Sequence, residues 1–353
     1  RYIDCNAHLK EFINIVSHPI SKNPEGMKKR LHYFIYRGLL FFLLTVFIVR
    51  SAKAQHIRLG GEKMNVEIGL NFGPTFFLGD LGGHRGYGTT FVKDLNLPLT
   101  KLMKGAFLSI HANEWLGLRF AAQYTYLAGE DKIIKTDGRA ESYRKFRNLD
   151  FRSNVWEAYT AIEIFPLMML QQNNEDYQPL LRPYVFGGIG LFHFNPQGSI
   201  TDQNGDKRWY YLHPLHTEGQ GFAEYPNRKN YSLTQINIPM GVGVKYLLSG
   251  NMNIGIELLY RKTFTDYIDD VSTTYIDPSL FNKYLSAADA NIAIQIFDKS
   301  SGTLTRTDPG YQRGNSKNND AYFSFLFKLG INLGASSEHS PRLANQMRCP
   351  KRF

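Results

Sequence analysis

From Thr234 to Tyr246 the chain alternates: Ile236, Ile238, Met240, Val242, Val244 and Tyr246 fall on one side, and Gln235, Asn237, Gly241, Gly243 and Lys245 on the other. Period two over so long a run fits an extended strand, because successive Cβ atoms point to opposite faces of the pleat. A second such run covers Met252 to Phe264, with Met252, Ile254, Ile256, Leu258 and Tyr260 opposed to Asn253, Glu257 and Arg261. A third sets Phe323, Phe325, Phe327, Leu329, Ile331 and Leu333 against Ser324, Lys328 and Asn332. Less regular strands are predicted over Val66 to Phe72, Ala106 to Ala112, Leu116 to Tyr126, Phe151 to Phe165 and Pro183 to Phe194. The last is apolar on both faces, so its pattern alone does not orient it. From Met64 onward no long stretch repeats apolar residues at helical spacing.

The N-terminal part carries a different signal. Lys28, Lys29, Arg30 and Arg37 precede an apolar run from Gly38 to Val49, and Ala52-Lys53-Ala54 follows. This is the pattern of a secretory leader over 27–54, cut before Gln55. An uncleaved membrane anchor would need a run of about 20 residues. Residues 1–26 read as an upstream extension ahead of Met27, and residues 55–63 as a short lead into the folded part. Cys5 and Cys349 both lie outside the periodic region, so no disulfide framework or thiolate metal site is expected in it. The formal charge of +10 owes much to the leader and to Arg342, Arg348, Lys351 and Arg352 in the tail, residues 334–353. It gives little support to a nucleic-acid partner.

Export combined with strands of about ten residues and one apolar face each predicts an all-β fold over 64–333: an eight-stranded antiparallel transmembrane β-barrel. In hydrocarbon every backbone N–H and C=O must be paired internally, and closure removes the open sheet edges. The links support it. Short ones (Asn113 to Trp115, Leu248 to Asn251) and a moderate one (Pro166 to Arg182) alternate with long ones: Gly79 to Lys104, Gly129 to Asp150, Asn195 to Leu233 and Thr265 to Asp320. Periplasmic turns and external loops alternate in this way. An exported soluble sandwich or lipocalin-like barrel would show the same alternation with its apolar face turned inward. Against it stand large aromatics near strand ends (Phe72, Trp115, Tyr124, Tyr126, Tyr246, Tyr260), as in interfacial girdles, and a highly charged opposite face.

With the apolar faces outward, the lumen receives Glu67, Arg119, Glu157, Glu163, Lys245, Glu257, Arg261 and Lys328. Eight strands leave room for little beyond their own side chains. These groups must therefore pair, and a structural ion-pair plug is expected rather than a proton or ion path. His213, His216 and Glu218 share one loop, but two histidines three apart lack a further partner at metal-site spacing. Asp266, Asp269, Asp270 and Asp277 offer hard oxygen ligands for Ca²⁺ without the spacing or central Gly of an EF-hand loop, so loop capping is the main expectation. For a lipid-modifying enzyme the strands offer His111, His193, Ser109 and Ser324, with nothing to fix a nucleophile, base and acid together.

Phe77-Leu78-Gly79-Asp80-Leu81-Gly82-Gly83 after the first strand, and Phe264-Thr265-Asp266-Tyr267-Ile268-Asp269-Asp270-Val271-Ser272 after the seventh, resemble motifs of the PorG-like outer-membrane β-barrel family of Bacteroidota. The resemblance spans about Asn65 to Leu333 and implies a barrel in the cell outer membrane. For the family's named member it implies association with the periplasmic ring of the type IX secretion and gliding apparatus. This chain departs from the compact members in its longer loops Asn195 to Leu233 and Thr265 to Asp320, and in its tail, which is expected to be dispensable. Lys328 to Leu333 resembles part of the terminal signal read by the barrel-assembly machinery. The functional expectation is a non-enzymatic membrane anchor or adaptor, with loops or turns as contact surfaces. A lipid-modifying enzyme and a small-solute pore are the alternatives. Expected neighbours are outer-membrane lipid and lipopolysaccharide, with periplasmic secretion-ring proteins implied by the resemblance. No catalytic residue, cofactor, metal or nucleic-acid partner is expected.

Overall fold

A computed structural model describes residues 58–59, 62–63, 65–81, 99–134, 141–170, 179–249, 251–300 and 307–333. The expected upstream extension, leader and tail, and most of the lead, lie outside these residues. Arg58–Leu59 and Glu62–Lys63 of the lead form a two-residue ladder.

Eight long strands follow: β1 Asn65–Leu78, β2 Lys101–His111, β3 Leu116–Glu130, β4 Asp150–Ile164, β5 Leu181–Thr201, β6 Thr234–Leu247, β7 Met252–Thr263 and β8 Ala321–Leu333. Each pairs antiparallel with its sequence neighbours, and β8 pairs back onto β1, closing the sheet. All eight expected strands are present. Several run further than the alternation indicated, β1 to Leu78 and β5 to Thr201, where Lys207–Tyr211 extends the sheet as a short accessory strand.

The register fixes the barrel's dimensions. Starting at Val66 and stepping through Ile110, Leu118, Ile162, Gly187, Met240, Tyr260 and Phe323, the ladder returns to β1 at Phe76, ten residues beyond the start. With a rise of about 3.3 Å per residue and strands about 4.8 Å apart, that stagger over eight strands tilts them by about 41°. The corresponding radius is about 8 Å at the backbone, which side chains fill. Between β8 and β1 the register passes Pro74 without slipping, although proline has no N–H to give the ladder. Beside it Gly73 is obligatory, since a Cβ there would sit 1.8 Å from the Phe325 carbonyl oxygen.

The outer wall is apolar on every strand. Leu70, Phe120, Ile162, Ile189, Val242, Ile256 and Phe327 are among the exposed residues, Leu70 and Ile256 at 59% each. β5 orients with Val185, Ile189 and Leu191 outward and Tyr184, Phe186, Phe192 and Phe194 inward. Not every expected girdle residue lies on this wall. Trp115 is a correction: it sits in the turn before β3 and packs against the buried cluster of Phe165, Met168 and Tyr184, closing the short-turn mouth. Among the described residues no helix is long and apolar enough to cross a membrane.

The interior has two apolar layers with charge between them. Toward the short turns lie Met103, Phe107, Phe165, Met168, Tyr184 and Phe186, with Met168 contributed by the short helix α1, Pro166–Leu170. Toward the long loops lie Leu127, Phe151, Phe192, Phe194, Tyr231, Ile268 and Tyr322. Above that, residues of the last two long loops form a further core of Leu215, Phe222, Tyr275, Phe281, Ile296 and Phe297. Its helices are α2, Ser279–Tyr284, and α3, Ala287–Phe297, the latter capped by the Ser286 side chain accepting from Asp289 N–H.

Candidate functional site: a sealed lumen and a tied cap

Inside the barrel all eight predicted ionic residues are buried, and each is in an ion pair. Arg119, wholly buried on β3, reaches Glu163 on β4 and donates from Nη1 to Glu257 Oε2 on β7 at 2.7 Å. The same Glu257 oxygen accepts from Tyr184 Oη at 2.7 Å and from Lys328 Nζ at 3.1 Å. Lys245 on β6 meets Glu67 on β1 at 2.5 Å, with His111 Nε2 3.4 Å from the same carboxylate. Nearer the long loops Arg261 Nε is 3.1 Å from Glu157 Oε2 and donates to Gln123 and Ser324, while Asn237 donates to Glu157 at 2.6 Å.

The network crosses the lumen from wall to wall. The Arg119 guanidinium lies 4.6 Å from the Phe186 ring centre and the Lys328 ammonium 4.1 Å from that of Phe107. Such cation–aromatic contacts help to replace lost hydration. Four carboxylates match four cations, so the interior is neutral without help from solvent. Tyr184 and Asn237 were not among the predicted site residues. Tyr184 lies on the strand whose pattern gave no orientation, and a neutral Asn on a polar face carries no distinguishing signal.

The second assembly ties together all four long loops. The Arg147 guanidinium grips Asp131 with two hydrogen bonds, 2.7 and 2.9 Å, and also donates to the carbonyl oxygens of Asp80 and Arg313. Arg313 donates to Glu218 Oε1 and to the Asp270 carbonyl, both at 2.9 Å. Glu218 accepts from the N–H groups of Ser272 and Thr273. Asp270 stands at φ +63°, a left-handed conformation that Asp tolerates, and accepts from Thr217 at 2.6 Å and Tyr231 at 2.7 Å. Tyr267 stacks on Tyr231 with ring centres 4.8 Å apart.

The two motif loops meet here. Asp269 accepts from Leu81 N–H at 3.0 Å and Val271 N–H at 3.1 Å, Asp80 accepts from Asn315 N–H, and Asp320 accepts from Ile268 N–H. Gly79 is required by closeness, since a Cβ there would fall 2.4 Å from Asp320 Oδ1. Burial, reinforced by Asp80 and Asp269, pushes the Asp266 carboxyl up to about 9. Burial and then Asp80 raise Asp269 well above the usual carboxylate range. Asp270 is raised only to about 6, because Arg313 and the Thr217 and Tyr231 hydrogen bonds oppose its burial.

The remaining candidates do not converge. Ser109 and Ser324 are buried in the lumen, Ser324 bonded to Thr75 and Arg261, whereas His193 is on the outer wall, bonded to Thr234. His111 sits beside Glu67. No nucleophile faces a base. His213 contacts the Tyr231 carbonyl, His216 packs on Phe222, and Glu218 is committed to backbone N–H groups. The loop that carries these three residues is folded into the cap. Asp277 accepts from Ser279 N–H at the start of α2. Among the described residues no group of three or more His, Cys, Asp or Glu stands in metal-holding geometry.

A closed antiparallel ladder with an apolar outer wall and a charge-paired, filled interior is a transmembrane β-barrel of the outer-membrane kind, because only that environment covers such a wall. The protein is an outer-membrane barrel. No family model matches the chain, and no curated protein matches it. Solved structures do. The attachment invasion locus protein Ail of Yersinia pestis, crystallised with the heparin analogue sucrose octasulfate, is 8% identical over 76% of this chain and 97% of its own, with a TM-score of 0.31. Neisserial surface protein A is 12% identical over 76% of this chain and 97% of its own, with a TM-score of 0.30. A major outer membrane protein from Thermus thermophilus is 9% identical over 76% of this chain and 99% of its own, with a TM-score of 0.35. The reading of this chain rests on its own ladder and wall.

Proposed function

We propose that the protein is a non-enzymatic anchor or adaptor of the outer membrane. The observation that carries this reading is the filled interior: an apolar layer, a neutral ionic layer and a second apolar layer occupy the lumen in succession. What remains for binding is the cap, the outer wall and the short-turn end. At that end Leu167, Met169 and Leu170 of α1 are exposed, Leu170 at 83%, and offer an apolar contact to a periplasmic protein.

The finer assignment, to a PorG-like barrel engaging the type IX secretion ring, draws on the motif resemblance. The test is capture from detergent-solubilised outer membranes with the wild type and with Met169→Asp/Leu170→Asp. Recovery of ring proteins by the wild type alone is expected. Stable single-channel conductance in planar bilayers would instead establish a pore and defeat the adaptor reading.

A further inference from the structure

Closure removes every edge from the barrel itself, but the sheet continues past the barrel on the long-loop, external side. There β5 runs on to Thr201 and pairs with the accessory strand Lys207–Tyr211, which stands last in the strand order. The ladder tells which way its backbone groups point. Leu212 N–H donates to the Pro196 carbonyl at 2.9 Å, and Asp202 N–H to the Asp206 carbonyl at 3.0 Å, so the even-numbered residues of this segment form the hydrogen-bonded pairs with β5. In an antiparallel ladder such pairs alternate with pairs that exchange no bond. Lys207, Trp209 and Tyr211, opposite Thr201, Ser199 and Gln197, are of the second kind. Their N–H and C=O groups point away from β5, and among the described residues no other strand or loop backbone meets them.

Native sheets blunt an open edge with charge, proline or a covering loop. Here the two cations stand at one end, and Trp209, Tyr210 and Tyr211, all good strand formers, fill the rest, Tyr211 being 52% exposed. The strand is also held in place from both faces. The Arg152 guanidinium lies 4.2 Å from the Trp209 ring centre while donating to Gln197 on β5, and Tyr210 packs on the core of the cap. Lys207 is engaged by Glu130 and Asp150, whereas Arg208 is 71% exposed and has only Asp202, at 3.9 Å.

We propose that this edge binds an extended segment of another protein as an added antiparallel strand, with an acidic residue opposite Arg208 and an apolar one opposite Trp209. Donors and acceptors presented at every second residue along a fixed strand match extended backbone, and an exposed guanidinium with one distant carboxylate calls for a further acid. The same strand of a second copy, added antiparallel, would turn its barrel upside down, so a neighbour in the same membrane does not fit.

The probe is the fluorescein-labelled peptide Ser-Val-Thr-Val-Glu-Thr-Ser, titrated with the folded barrel in detergent micelles and followed by anisotropy. Antiparallel addition sets its second Val opposite Trp209 and its Glu opposite Arg208. N-methylation of that Val removes a bonded N–H and leaves every side chain in place, and is expected to weaken binding about tenfold. N-methylation of the Glu, whose N–H points away from the edge, leaves affinity within about twofold. Replacing the Glu by Lys weakens binding about threefold, and Arg208→Glu reverses that preference. The proposal is overturned by the absence of saturable binding up to millimolar peptide, by equal effects of the two methylations, or by a preference for Glu over Lys that persists in Arg208→Glu.

Discussion

Glu257→Gln removes the carboxylate at the centre of the lumen network. Arg119 keeps Glu163, but Lys328 has Glu257 as its sole ion-pair partner among the described residues. An ammonium that is only 4% exposed is then left facing the rings of Phe107 and Tyr184. Removing one partner of a buried pair costs about 3 to 5 kcal/mol. Lys328→Met alone is milder, about 1 to 2 kcal/mol, because Glu257 still accepts from Arg119 and Tyr184. The double variant restores neutrality, so it should be more stable than Glu257→Gln by about 2 kcal/mol. Urea unfolding in lipid vesicles, read by fluorescence of Trp115, Trp156 and Trp209, measures all three. Strict additivity, with the double variant as weak as the two losses combined, would refute the claim that the lumen is held by charge matching.

The cap supplies the other predictions. Asp266, Asp269 and Asp270 have folded-state pKa values raised above the unfolded value near 3.8, so their contribution is fully present below that value and is lost as pH rises through the folded values, about 6 for Asp270 and about 9 for Asp266. Limited proteolysis should therefore cut the external loops faster at pH 9 than at pH 5, and Asp266→Asn should flatten the difference; greater protection at pH 9 contradicts the sign. Arg313→Met removes the cation shared by Glu218 and the Asp270 carbonyl and should weaken the cap by about 3 kcal/mol, seen as loop cleavage in a barrel whose unfolding midpoint is unchanged. Gly73→Val places side-chain atoms on the Phe325 carbonyl at the closing seam, so the variant should fail to give the heat-modifiable folded band on gels.

The barrel was legible because lipid imposes one rule on every strand. Where the outer face meets hydrocarbon, as along β6 and β7, alternation is unbroken and strand limits fall within a residue or so of the pattern. It fades where a strand rises into the cap. Phe76 lies on the outer side of the sheet, buried against Phe323, and Phe77 packs inward, yet both are apolar, so the end of β1 carries no alternation to read. The membership of the ionic layer was equally legible, since a charged residue opposite an apolar face must be inside. The partners were not. Arg119 meets Glu257 across the lumen, and that pairing depends on the stagger of ten residues accumulated around the sheet, which no local pattern encodes.

The cap was the least legible part, for a physical reason that also bears on function. Its contacts join Asp80, Arg147, Glu218 and Asp270, each from a different loop, through backbone carbonyls and N–H groups that leave no trace in residue type. Long loops of aromatic and polar residues read as contact surfaces, but here much of their aromatic content is turned inward, Tyr275, Phe281 and Phe297 being buried. Burial removes those side chains as direct contacts and makes the described parts of the last two long loops a packed body instead. A packed cap loses less conformational entropy when a partner binds than free loops would. If the external face recognises a partner, exposed residues such as Tyr284 and Tyr311 are presented in fixed positions. Loosening the cap through Arg313→Met should then weaken that recognition without touching either tyrosine.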